Sequence, residues 1–106
     1  MNTAGVRGAA VFMYNQMAGN PAYRGSTSAG PVDVELARTG DAITLRIVSR
    51  NLPIDSQSAG FLAAMFGCPP SAKEEHSQER RRSLVSNQWI TDNVVTFTWS
   101  ESFEVA

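Results

Sequence analysis

The chain has 106 residues, the length of one domain. Its 42% hydrophobic content is enough for one core, and its 18% charged content excludes a disordered charged tail. A formal net charge of −1 argues against a protein whose chief partner is a bare nucleic-acid backbone, because that binding is driven by neutralising phosphates.

In the first segment Val6, Ala10, Met13 and Met17 fall at helical spacing, with Gly19 as the expected C-terminal cap and Pro21 preventing continuation. A strand over Ala9–Tyr14 competes, since Val11, Phe12 and Tyr14 favour extended backbone; the helix is the preferred reading. Gly19 to Pro31 (GNPAYRGSTSAGP) has the composition of a long loop.

Val32, Val34 and Leu36 alternate with Asp33 and Glu35, and Ile43, Leu45 and Ile47 alternate with Thr44, Arg46 and Val48. This is the period of two half-buried strands. Thr39-Gly40-Asp41 joins them as an antiparallel hairpin, with Asp33 and Glu35 expected across from Arg46 and Arg50. A polar loop with Pro53 follows, offering Asp55, Ser56 and Ser58 as helix N-caps. Ala59–Phe66 then reads as an apolar helix ended by Gly67 and Pro69-Pro70, buried in a core or an interface.

Ser71-Ala72-Lys73-Glu74 has the form of a capping box. A polar helix is expected from about Ala72 to Val85, with His76, Arg80 and Leu84 on one face and Glu74-Glu75 at the positive end of its dipole. At the C-terminus Val95, Phe97, Trp99, Phe103 and Val105 alternate with Thr96, Thr98, Ser100, Ser102 and Glu104 as a strand, broken at Glu101. Ser86–Thr91 is a candidate hairpin partner for it through Asp92-Asn93. The predicted class is α+β: one domain over residues 1–106, an antiparallel sheet of three to five strands with two or three helices packed on one face.

The chemistry available is sparse. One histidine and one cysteine cannot build a structural zinc site, and Glu74, Glu75 and Glu79 read as solvated charges, so no metal is expected. There is no G-x-S-x-G, no Walker A and no G-x-G-x-x-G, so no cofactor is expected either. His76 reads as a surface residue and Cys68 as a small packed hydrophobe, although a helix start just after Cys68 would lower its thiol pKa. A lone cysteine forms no internal disulfide. The N-terminus lacks the pattern of a secretory signal, and no apolar run approaches the ~20 residues that span a bilayer. A soluble, cytoplasmic protein without a membrane partner is the expectation.

Two features point to binding. Arg80-Arg81-Arg82 is a compact positive cluster suited to carboxylates or phosphates, although three successive helical residues span about 200° and cannot share a surface. Trp89, within the aromatic set Trp89, Phe97, Trp99 and Phe103, is of the type that interface hot spots favour, as is arginine. With Arg24 in the glycine-rich segment, these are the candidate partner-contacting residues. The leading expectation is a non-catalytic module occupying a surface of a larger protein, similar in size and character only to small phage-encoded inhibitors such as anti-CRISPR proteins. One alternative is a small cofactor-free enzyme, or a subunit of one, with a pocket holding Tyr14, Asp55 or His76. Another is nucleic-acid binding through the arginines. A homodimer through Ala59–Phe66 or the C-terminal strand edge is compatible with each.

Overall fold

The computed structural model describes residues 3–103. Helix α1 (Thr3–Ala18) leads into strands β1 (Arg24–Ala29), β2 (Val32–Thr39) and β3 (Ala42–Ser49), then helix α2 (Ser56–Met65) and strands β4 (Lys73–Arg82) and β5 (Trp89–Ser100). The strands form one five-stranded sheet, in the order β1-β2-β3-β5-β4, with every neighbouring pair antiparallel. This is an α+β protein. Among the described residues no helix is long and apolar enough to cross a membrane.

The central hairpin follows its sequence period. Val34, Leu36, Ile43, Leu45 and Ile47 are fully buried, in register with Val95, Phe97 and Trp99 of β5. Each such aliphatic side chain contributes about 1.5–3 kcal/mol on burial. Val6, Ala10, Met13 and Met17 of α1 and Ala59, Leu62 and Ala63 of α2, with Phe66 just beyond it, join those strand residues in one cluster. Asp55 caps α2 by accepting from the Ser58 amide at 2.6 Å. Gly67 ends that segment at φ +88°, where a Cβ would lie 2.5 Å from the Tyr14 ring.

Four expectations are overturned. The segment from Gly19 to Pro31 is not one long loop, since Arg24–Ala29 is an edge strand paired with β2 through a tight Gly30-Pro31 turn. Its Ser, Thr and Gly residues have loop composition, but Thr27 and Ala29 need only fill the shallow margin of the core. Gly19 does not take the left-handed cap conformation. The segment after Pro70 is strand β4, not a helix, and Ser71 caps nothing. Lys, Glu, Gln and Arg are good helix formers, but intrinsic propensity is worth only roughly tenths of a kcal/mol per residue, and pairing ten residues with β5 outweighs it. Finally, residues 89–100 form one continuous strand, so Asp92-Asn93 is no turn, and β5 is enclosed between β3 and β4 instead of offering an edge. Val105 and Glu104 lie outside the described residues.

The C-terminal end of α1 is capped from the sheet. Arg38 of β2 is 7% exposed. Its guanidinium donates to the carbonyls of Met17 (2.7 Å), Ala18 (3.0 Å) and Gly40 (2.6 Å), and its Cζ lies 4.0 Å from the centroid of Phe103. The cation satisfies orphan helix carbonyls and meets the negative end of the helix dipole. Arg38→Leu should therefore lower unfolding free energy by about 3 kcal/mol, since it strands several buried carbonyls. Arg38→Lys, which keeps the charge but not the planar fork, should recover only part of that loss. Urea midpoints of the two variants check this.

Candidate functional site

β4 and β5 form an arm. All ten residues of β4 are exposed, so neither face of that strand is covered, and the molecule is elongated at 51 × 26 × 26 Å. The loop closing the arm is well built. The Ser83 amide donates to the Gln88 carbonyl (2.8 Å), the Asn87 amide to the Ser83 carbonyl (2.9 Å), and the Ser83 hydroxyl accepts from the amides of Val85 (3.3 Å) and Ser86 (3.2 Å). Asn87 supplies the left-handed residue at φ +57°. The loop holds Leu84 and Val85 at its apex, both fully exposed.

Strand geometry resolves the arginine triplet. Successive side chains alternate faces, so Arg80 and Arg82 share the face that β5 continues with Trp89, while Arg81 points to the other. The guanidinium carbons of Arg80 and Arg82 each lie 4.9 Å from the Trp89 ring centroid. Trp89 is thus flanked by two cations and still 55% exposed. Among the described residues neither arginine pairs with a carboxylate. Arg82 meets only the Asn87 side-chain oxygen, at 3.4 Å. Arg81 instead binds Asp92 at 2.7 Å; that nearly buried carboxylate also accepts from the Asn51 amide at 3.2 Å.

The arm is braced on the opposite face. Arg46 of β3 reaches across β5 to Glu79 of β4 at 2.8 and 3.2 Å while holding Glu35 of β2 at 2.9 Å. Its hydrogen bond to Glu79 raises the Arg46 pKa and holds the Glu79 carboxyl below its usual range. The expected pairing of Asp33 and Glu35 with Arg50 and Arg46 is present. Glu74 and Glu75 sit at no helix terminus. The Ser56 hydroxyl (2.6 Å) and then His76 (2.7 Å) hold the Glu74 pKa down, and Lys73 (2.9 Å) holds down that of Glu75.

Of the five residues singled out in the sequence, Arg80, Arg81, Arg82 and Trp89 come together on the arm, with Arg81 facing away from the other three. Arg24 is on β1, at the far edge of the sheet, beside a shallow depression of about 520 Å³ that Ser26, Ala37, Thr44 and Arg46 also line. Leu84 and Val85 were missed, because a helix over that segment made them part of a solvated face and not the tip of a turn. Other exposed apolar side chains lie on α1 (Val11 and Phe12) and beside α2, where Leu52 and Phe61 flank an open groove of about 530 Å³.

The polar groups expected of an enzyme pocket do not converge. The groove beside α2 includes Asp55, but neither Tyr14 nor His76 lines it, and Asp55 is committed to its helix cap. His76 stands on β4. Tyr14 donates to Glu101 at 2.5 Å. Burial pushes the Cys68 thiol pKa up, with Glu74 adding to it, and no helix begins beside it; the side chain packs against the core. No group of three or more metal-ligating residues forms among the described residues. No family model matches the chain, and comparison with curated proteins and with solved structures returns no match.

Burial, then the Glu101 carboxylate, pushes the Tyr14 pKa from 10.0 up to about 12. The fold therefore favours the neutral phenol. The stability it contributes is complete below pH 10 and is lost as pH rises towards 12. Urea unfolding over that alkaline window should show this decline, and Tyr14→Phe should flatten it.

Proposed function

We propose that this protein is a non-catalytic binding module that engages a larger protein through the exposed face of the β4–β5 arm. The observation that carries the reading is Trp89, half exposed between Arg80 and Arg82 on an arm that no helix covers. Tryptophan and arginine are the residues from which interface hot spots are most often made. The two cations lack carboxylate partners of their own, which favours a partner surface carrying Asp or Glu beside an apolar or aromatic pocket. Such a contact blocks whatever else uses that surface, which is how a small inhibitor acts.

Nucleic acid is the less favoured ligand. Arg81 and Arg46 are already neutralised by Asp92 and Glu79, and the whole chain is slightly acidic. On the arm, the two guanidinium groups without a carboxylate are a small footprint for phosphate binding, and Arg24 lies at the opposite edge of the sheet.

Trp89→Ala should leave stability within about 1 kcal/mol of the parent, as expected at a half-exposed position. The same change should abolish capture of a protein partner from a nuclease-treated bacterial lysate, read by quantitative mass spectrometry of parent and variant side by side. Capture that depends on nucleic acid, or that survives both Trp89→Ala and Arg80→Ala, would overturn the reading.

A further inference from the structure

The outer edge of β4 is ten residues long and hydrogen-bonded on one side only, leaving a row of backbone donors and acceptors free. Edge strands are commonly protected by charged side chains, proline or a bulge. β4 has no proline, and most of its charges cluster by sign, Glu74-Glu75 near the start and Arg80-Arg81-Arg82 at the end, with Lys73 and Glu79 the exceptions and His76-Ser77-Gln78 between.

Sorting of this kind makes the strand complementary to itself. A symmetric contact between two antiparallel edge strands has its two-fold axis perpendicular to the sheet, and facing residues point to the same face. Even positions must therefore meet even ones, and odd positions odd ones. Centred on Gln78, this places Glu74 opposite Arg82, Glu75 opposite Arg81 and His76 opposite Arg80, twice each by symmetry; the Glu75–Arg81 pair adds to the bridges these two already make to Lys73 and Asp92 in their own chain. Centring on Ser77 sets Glu74 against Arg80 but also Glu75 against Glu79 and Lys73 against Arg81. Centring on Glu79 sets that carboxylate against its own copy. Only the Gln78 register turns the charges of β4 into attraction at both ends.

The same register aligns a second, independent feature. It carries the tip of one arm to the start of β4 in the other copy, where Leu84 in the turn after β4 falls opposite Ala72 just before it when the register is extended past the strand ends. Ala72 lines a mostly apolar cavity of about 290 Å³ together with Gly60, Ala63, Pro69, Pro70 and Phe97, with Glu74 at its polar side. Leu84 is fully exposed and has no apolar neighbour to cover it in its own chain.

We infer that β4 is a self-association edge: two copies of this chain pair β4 to β4 about Gln78, making one continuous sheet, with Leu84 of each seated against the Ala72 cavity of the other. The inference rests on the reading of the arm as a contact surface, but uses its edge and tip; it shares Arg82 with the Trp89 face and leaves Trp89 and Arg80 to a different partner.

The purified full chain tests it by sedimentation velocity and light scattering over a wide concentration range. The parent should form a dimer. Glu75→Arg, which sets guanidinium against guanidinium at two symmetric positions, should weaken self-association about tenfold or more, and Leu84→Ser should weaken it as well. Circular dichroism confirms that both variants are folded. In a Cys68→Ser background, Gln78→Cys should cross-link to its own copy under mild oxidation, whereas Ser77→Cys, two residues out of register with its copy, should not. A parent monomeric at every concentration, a dimer indifferent to both Glu75→Arg and Leu84→Ser, or equal cross-linking at the two cysteine positions would overturn the inference. Because this is read in pure protein, a dimer that persists while Trp89→Ala fails to alter capture from a lysate would sink the proposed function and leave the edge assignment standing.

Discussion

The guanidinium of Arg38 holds the two layers of this protein together. It projects from β2 on the same face as Val34 and Leu36, buried beside the hydrophobic cluster, where an uncompensated charge would be very costly. Compensation comes from the carbonyls at the end of α1, from Gly40 and from the face of Phe103, and among the described residues no carboxylate takes part. The helix end therefore needs the arginine as much as the arginine needs the helix end. This contact sets where α1 stops over the sheet, and so how its stripe of Val6, Ala10, Met13 and Met17 meets the strands. The two-residue turns at Gly30-Pro31 and Gly40-Asp41 then keep β1, β2 and β3 in the register that presents this face.

A second constraint is one of size. β5 is twelve residues long and pairs with β3 over Asn93–Ser100, while its first residues, Trp89 to Asp92, pair with β4 alone. α1 packs on β1 and β2 and α2 on β3 and β5, and neither helix packs on β4. A strand with water on both faces has no use for alternating apolar residues, which explains the composition of β4. It is held by backbone pairing to β5 and by the Arg46–Glu79 and Arg81–Asp92 bridges, with no burial to help.

That arrangement also concentrates the exposed chemistry. Arg80 and Arg82 are free to flank Trp89 because strand alternation sends Arg81 to the other face, where Asp92 engages it. Had residues 72–85 been helical, the three arginines would have fanned around a cylinder and Leu84 would have lain along its side. The proposed binding face, the proposed self-association edge and the apolar tip all exist because this segment is extended.

The sequence alone determined those elements whose pattern coincides with burial on one face: the β2–β3 hairpin with its Glu35–Arg46 and Asp33–Arg50 pairs, an apolar helix near Ala59–Phe66, and the α+β class. There, local period and tertiary environment demand the same residues. The structure settled α1 as a helix over a competing strand and chose Asp55 among Asp55, Ser56 and Ser58 as the cap, starting α2 at Ser56. The candidate site was legible only as a set of residue types, Arg80, Arg81, Arg82 and Trp89, and not as a geometry, and Arg24 proved to lie at the opposite edge of the sheet. Only the tertiary structure decided that Gly19–Pro31 contains β1, that Lys73–Arg82 is a strand, and that Trp89–Ser100 is unbroken. In each case long-range backbone pairing, which leaves no periodic mark on a polar or small-residue segment, outweighed weak local preferences for loop, helix or turn. Arg38 belongs to the same class. Nothing within its own strand indicates that a helix end twenty residues earlier will close over it.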